Sequence, residues 1–179
     1  MINIFIGLIF VFFKTNLSFW DIGVTYYLTN IIGYLTMYFG IQELGRTNQR
    51  LLKVKPYVII MVIHSIIFLL LNITDHSPLT MGMSTMLETI IVFVGVVFIV
   101  IGMFMVFVII FELMDASTSN INKKLLYNLV NIMLLLFILA GLSAIFNFTM
   151  LVTTIMGTLL LVEVLFLISY YHVFLGENI

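Results

Sequence analysis

The chain has 179 residues, of which 63% are hydrophobic and 8% are charged, and its formal net charge is −1. A soluble domain carries about 25% charged residues, and no soluble fold of this length could bury so much apolar surface. We therefore expect lipid to be the solvent for most of the chain, and the balanced charge offers no long-range field for nucleic acid. The sequence contains no cysteine, which excludes disulfides, thiolate metal sites and cysteine nucleophiles.

Apolar runs separated by short polar breaks follow one another along the chain. A helix needs about 20 apolar residues to cross the hydrocarbon core of a bilayer. We therefore predict an all-α fold, a polytopic bundle of transmembrane helices that forms a single domain. The predicted spans cover residues 2–13, 22–44, 56–73, 87–113, 124–146 and 150–174.

The first predicted span is short and ends at Lys14, with Trp20 following at the expected membrane interface. The bundle therefore has six spans, or five if this segment does not cross. Pro56 suits the first turn of the third helix, where its missing N–H is not needed. The break at 147–149 is so short that the last two helices are predicted to be antiparallel neighbours.

Basic residues concentrate in two of the predicted loops. Lys123 and Lys124 lie in the fourth loop, and the second loop holds a group of four: Arg46, Arg50, Lys53 and Lys55. Because basic loops stay on the cytoplasmic side, six spans place both termini in the cytoplasm, and five move the N-terminus outside. The ordinary role of the four charges is to set topology and contact anionic headgroups, and a specific lipid or partner site is the alternative.

Two ionisable residues fall in the middle of apolar runs. Glu163 lies midway along the sixth span and His64 midway along the third. A charged side chain at the bilayer centre costs at least about 2.5 kcal/mol, so such residues face a bundle interior or a wet cavity and have a partner. The depths of the two differ by roughly one helical turn. We expect a charge-assisted hydrogen bond between them if their helices are neighbours.

Further polar residues fall at similar depth in other spans. They are predicted to complete a candidate mid-membrane polar site, whose members are His64, Glu163, Asn131, Asn30 and Tyr34. Such a layer suits a ligand site or a proton relay. It is equally typical of interhelical hydrogen bonds that hold a bundle together, at about 0.6 kcal/mol each.

Small residues recur at spacings that let helix backbones approach closely. The pairs Gly33/Gly40 and Gly95/Gly102 stand seven residues apart, and Thr153 stands four residues before Gly157. These patterns predict helix packing within one chain, or homodimerisation.

No catalytic or cofactor motif occurs in the sequence. It has no H-E-x-x-H, no G-x-S-x-G and no phosphate-binding Gly-rich loop. The pair Asp75-His76 has no further ligands at metal spacing. We therefore predict no enzyme activity, no cofactor and no metal site.

The stretch from Tyr27 through Leu44 carries Ile-Gly-Tyr followed by Gly-Ile-Gln-Glu-Leu, and a basic loop leads to Lys55-Pro56. This pattern resembles small multi-span membrane proteins of low-GC Gram-positive bacteria, a group with no assigned activity. The resemblance covers the first third of the chain and implies a bacterial cytoplasmic membrane protein. The sequence departs from the pattern at Thr29-Asn30, where Pro-Asp is expected.

Three functions remain open from the sequence. The first is a small-molecule binding or transport component whose ligand occupies the polar site. The length and span number also resemble substrate-binding subunits of energy-coupling-factor vitamin transporters, although their Ala-rich first helix is missing. The second is a non-enzymatic accessory or immunity-type protein that contacts a membrane-protein partner, or a second copy, through its helices. The third is an intramembrane enzyme. The lipid bilayer is a partner in all three.

Overall fold

A computed structural model describes residues 1–13, 17–20, 22–116 and 123–175. These residues form helices and no strand, which confirms the all-α prediction. Each helix end lies within three residues of the predicted segment. The elements are α1 (Ile2–Phe12), α2 (Val24–Leu44), a 3-10 helix (Gln49–Lys53), α3 (Lys55–Ile73), α4 (Met86–Ala116), α5 (Lys123–Ile145) and α6 (Thr149–Phe174).

Four helical segments are long and apolar enough to cross a membrane: Gln49–Ile73, Met86–Ala116, Lys123–Ile145 and Thr149–Phe174. This composition fits an integral membrane protein. By contrast, α1 has 11 residues and a length of about 16 Å, roughly half the hydrocarbon thickness. The 21 residues of α2 are enough to cross, but its tyrosines, threonines and asparagine make it less apolar. The number of crossings stays a prediction.

The helix contacts close into a ring. Each helix packs against its neighbours in the chain, and α1 also contacts α6. The contacts between α1 and α2, α2 and α3, and α5 and α6 are extensive, which confirms the last two helices as a packed pair. Those of α4 with α3 and α5 are sparse. The main core lies inside the ring and includes Tyr34, Met133 and Phe166.

Glycines set the distance between α1 and α2. A Cβ atom on Gly33 would lie 2.8 Å from the Gly7 carbonyl oxygen, and one on Gly40 would lie 2.9 Å from the Ile4 side chain. Only a missing side chain permits such backbone approach. The predicted packing role of Gly33 and Gly40 is therefore confirmed, whereas Gly157 faces open space with no atom within 4 Å of its Cβ position.

Several helix ends meet at one end of the bundle. The Asn3 amide of α1 donates to the Glu43 carboxylate of α2 at 3.3 Å, and Phe5 packs against Tyr170 of α6. The Tyr127 hydroxyl of α5 donates to the Asp115 carboxylate of α4. We call this the basic end, because the basic residues of both loops lie here: Arg46, Arg50, Lys53, Lys55, Lys123 and Lys124. The opposite end, with the α3–α4 connection, is the far end.

The α1–α2 contact gives a direct test. We expect Gly33→Ala to lower the melting temperature of the detergent-purified protein, because the new methyl group overpacks against Gly7 and Val11, at about 1–3 kcal/mol. The matched control is Gly157→Ala, another mid-helix glycine with open space around it. A control that loses as much stability as Gly33→Ala would contradict the close-approach explanation.

Candidate polar site inside the bundle

Helix α2 carries a buried stripe that begins with polar residues and continues with apolar ones. Tyr27, Asn30, Tyr34, Met37 and Ile41 recur at helical spacing and are all buried. Because α1 and α3 pack on either side of α2, this stripe faces protein rather than lipid. The lower hydropathy of α2 follows, since polar side chains in a membrane protein are tolerated toward the bundle interior.

Tyr26, also on α2, links these polar groups to a residue of α6. The Tyr26 side chain forms a hydrogen bond with that of Asn30, and the Glu163 carboxyl group interacts electrostatically with Tyr26. Tyr34 interacts electrostatically with Tyr26 as well. We call Tyr26, Asn30, Tyr34 and Glu163 the polar cluster. Asn30, Tyr34 and Glu163 are at most 5% exposed.

The polar cluster lies where α1 ends. Phe12, the last residue of α1, meets Phe166 of α6 edge to face at 6.0 Å between ring centroids, and Glu163 stands one turn before Phe166. Val11 packs against Gly33, one turn after Asn30. The short helix therefore stops inside the bundle at the depth of the cluster. Lys14, which follows in the sequence, lies outside the described residues.

The described residues just before α2, 17–20 and 22–23, pack into the bundle without helical structure. Phe19 is 5% exposed, with its ring 5.3 Å from that of Phe137 on α5. Ile22 packs with Phe68 of α3 and Ile99 of α4. Irregular backbone at membrane depth is tolerated where protein surrounds it, and these contacts with α3, α4 and α5 supply that surrounding.

Several buried oxygen atoms on α2 and α3 have no hydrogen-bond partner within the described part of the chain. They are Asn30 Oδ1, the Tyr27 and Tyr34 hydroxyls and Ser65 Oγ. Leaving a buried polar atom unsatisfied costs about 1–3 kcal/mol, so each such atom in a native structure calls for an explanation. Two of the four belong to the polar cluster, which therefore has spare capacity to bind a polar group.

His64 lies apart from the polar cluster. Its Nε2 atom is 3.1 Å from the Phe98 carbonyl oxygen of α4. Because a carbonyl only accepts, Nε2 carries the proton and donates. The ring also packs on Phe68 at 4.7 Å and against Gly102, which has no side chain to displace it.

The expected pairing of His64 with Glu163 required neighbouring helices. Helices α3 and α6 are not neighbours in the ring. His64 forms its hydrogen bond with Phe98, and its Nδ1 atom has no partner among the described residues, so the expected pairing is wrong. The two residues match in predicted depth along the membrane, but the order of the helices places α3 and α6 on different sides of the ring.

Asn131 does not join the polar cluster either. Its side chain is exposed on α5, and so is that of Asn128. The residues of α5 that face the interior are Val130, Met133 and Phe137. Of the predicted site, Asn30, Tyr34 and Glu163 are buried and are linked through Tyr26, whereas Asn131 is exposed and His64 bonds to Phe98 instead.

Tyr26 is the member that sequence reasoning missed. It stands four residues before Asn30, which places both on one face of α2. That spacing was the available signal. A tyrosine near a helix start is more often an interface anchor. Its packing against the cluster that contains Phe68 and Ile99 identifies it as part of the interior.

An apolar groove runs between α3 and α4 toward the far end. It encloses about 780 Å³ and is lined by His64, by isoleucines of α3 such as Ile63 and Ile67, and by Val94 and Phe98 of α4. Pro78 of the connecting loop packs against Gly95 at its wall. The sparse packing of α4 against α3 leaves this space open.

The predicted basic-loop residues lie at the basic end. Arg46, Arg50 and Lys53 are exposed. Lys55 is half-buried, with its ammonium group 4.9 Å from the centre of the Tyr38 ring, a cation–π distance. Among the described residues, no group of three or more His, Asp or Glu side chains is arranged to hold a metal ion.

Comparison with known proteins adds no relative. No protein-family model matches the chain, no curated protein matches its sequence, and no solved structure matches its fold. The resemblance to small membrane proteins of Gram-positive bacteria stays a prediction.

The membership of the polar cluster can be tested with double-mutant cycles in thermal or denaturant unfolding. Tyr26→Phe and Glu163→Gln should be non-additive, with an interaction energy of about 0.5–3 kcal/mol, as for residues in one network. His64→Leu and Glu163→Gln should add to within about 0.5 kcal/mol, because distant sites are independent. Strong coupling in the second cycle and none in the first would reverse this assignment.

Proposed function

We propose that this protein is a membrane-embedded binding or transport component whose small-molecule ligand occupies the polar cluster. One observation carries the proposal: Asn30 and Tyr34 hold buried oxygen atoms without a partner among the described residues, and Tyr26, which hydrogen-bonds Asn30, interacts electrostatically with the buried Glu163 carboxyl group. A bundle that needed only interhelical hydrogen bonds would be expected to satisfy these atoms internally. Spare polar capacity in a largely apolar interior is what ligand sites contain.

The chemistry of the cluster favours a ligand rich in hydrogen-bond donors. An ionised carboxyl group and an amide oxygen accept hydrogen bonds, and a phenol hydroxyl can accept as well as donate one. The C-terminal end of α1 at Phe12 lies at the same depth, and a helix C-terminus carries roughly half a negative charge. Both features favour a small organic cation or a polar molecule with several N–H or O–H groups.

The proposed setting is a bacterial cytoplasmic membrane with the basic end in the cytoplasm. Six basic residues at one end of the bundle support this orientation. The start of α1 and the end of α6 then lie on the cytoplasmic side.

We propose binding rather than catalysis. The route to an intramembrane enzyme required His64 and Glu163 to meet, and His64 instead forms its hydrogen bond with the Phe98 carbonyl oxygen. The Glu163 environment of phenols and an amide suits recognition of a polar group.

A thermal-shift assay on the detergent-purified protein tests the binding proposal. The probes are methylammonium and choline as organic cations, glycerol as a neutral polyol and acetate as an anion. We expect a cation to raise the melting temperature, since a ligand at 100 times its Kd stabilises by about 2.7 kcal/mol. Glu163→Gln and Tyr34→Phe should abolish the shift.

Two asparagines give the matched comparison. Asn30→Leu alters the polar cluster, whereas Asn131→Leu changes an exposed side chain on α5, so only the first should remove the ligand shift. If Glu163→Gln altered neither the melting temperature nor any ligand-induced shift, the hypothesis that this carboxyl group is functional would be abandoned. A loss of stability with no ligand shift in any variant would favour a purely structural cluster.

One observation favours the second candidate, contact with another membrane helix. On α6, Gly157 faces open space beside the exposed Thr153, Thr154 and Thr158. The three hydroxyl groups donate to backbone carbonyls of their own helix. This surface therefore consists of small side chains and leaves no hydroxyl donor unsatisfied. Such surfaces let transmembrane helices approach closely.

Self-association in vesicles tests this candidate. If a second copy packs on α6, Gly157→Leu should lower the energy transfer between labelled copies several-fold, because the new side chain blocks close approach. Leu161→Ala, on the same exposed face, removes volume and serves as a control that should leave the transfer unchanged or raised. A signal that is absent from the unmodified protein as well excludes self-association through this face.

A further inference from the structure

The connection between α2 and α3 is held in a fixed conformation. Asn48 caps the 3-10 helix, since its side-chain oxygen accepts a hydrogen bond from the Arg50 backbone N–H at 3.1 Å. Its amide group donates to the Ala116 carbonyl oxygen at 2.7 Å and so ties the turn to the end of α4. Leu51 and Val54 are buried in the main core. The backbone of this turn is therefore anchored from both sides.

Three cationic side chains extend from the anchored turn. Arg46, Arg50 and Lys53 are exposed, and within the described part of the chain none of them has an ion pair or a side-chain hydrogen bond. Side chains three residues apart eclipse in a 3-10 helix, so Arg50 and Lys53 leave the same edge. We call these three residues the cationic platform.

In the predicted topology, the cationic platform lies at the depth of lipid headgroups. The segment Gln49–Ile73 is one of those apolar enough to cross the membrane, and Arg50 and Lys53 stand in its first turns. Leu52 lies between these two residues and is 41% exposed, which adds an apolar contact beside the charges. A surface with both features matches an amphiphile better than a soluble anion.

We propose that the cationic platform binds the headgroup of an anionic phospholipid. The Arg50 guanidinium group can hold a phosphodiester through two parallel hydrogen bonds, and Arg46 and Lys53 add charge around it. The acyl chains then run along the apolar surface of α3. The site is separate from the polar cluster and does not depend on the proposed ligand there.

Lys124 provides a control that distinguishes a specific lipid site from a general effect of positive charge. It is exposed at the same basic end but belongs to α5 and not to the anchored turn. A diffuse field would respond equally to the loss of any exposed cation at this end. A specific site at the platform instead predicts that Arg50 and Lys53 contribute to the affinity for the lipid and that Lys124 does not.

Native mass spectrometry of the full chain in neutral detergent provides the test. The probes are phosphatidylglycerol and phosphatidylcholine with identical acyl chains. We expect phosphatidylglycerol to bind at least about tenfold more tightly, and Arg50→Gln and Lys53→Gln each to weaken it about fivefold, the effect of one basic residue near a membrane surface. Lys124→Gln should leave its affinity unchanged.

Three outcomes would overturn the proposal. Equal binding of the two lipids would remove the anionic selectivity. Equal weakening by Lys124→Gln would assign the effect to the general field. Displacement of phosphatidylglycerol by soluble glycerol 1-phosphate at similar concentration would identify a site for free phosphates. Because Arg50 and Lys53 are exposed, their single variants should keep the unmodified melting temperature, and Arg50→Lys should retain part of the affinity.

Discussion

The backbone contact between Gly7 of α1 and Gly33 of α2 sets the frame on which the rest of the bundle depends. The two helices approach so closely that a Cβ atom at either position would overlap the other backbone. This contact fixes the register of α1 against α2 and therefore the depth at which α1 ends, next to Asn30. Because α1 also packs on α6, the same register decides which residue of α6 meets that end: it is Phe166, and Glu163 stands one turn before it.

A polar cluster at this depth is tolerated because the ring order shields it. Helix α2 has packed neighbours on both sides, so Asn30 and Tyr34 face protein while the lipid-facing positions of the same helix carry residues such as Leu28 and Phe39. The non-helical approach to α2 is shielded in the same way by α5, through Phe19 and Phe137. The polar side chains of the cluster and this irregular segment are thus surrounded by protein, as lipid requires.

The two ends of the bundle differ in how closely their helices and connections are packed and hydrogen-bonded. At the basic end, Asn48 ties the α2–α3 connection to the last turn of α4, and the exposed cations extend from a rigid base. Toward the far end, α4 packs sparsely against its neighbours and leaves the groove beside His64. Local stability follows the density of buried contacts, so we expect motion of α4 relative to α3 to concentrate at the far end.

The sequence by itself determined the helices, because hydrophobic runs, Pro56 and the polar breaks depend only on local composition and length. It also identified Glu163, Asn30 and Tyr34 as interior, since polar groups within apolar runs avoid lipid. Only the tertiary structure decided which polar groups meet. His64 and Glu163 match in depth but belong to helices that are not neighbours in the ring, Asn131 is rotated outward, and Tyr26 is turned inward. Depth is encoded along the chain, whereas neighbours and rotation are set by packing between helices, above all by close approach at glycines far apart in the sequence.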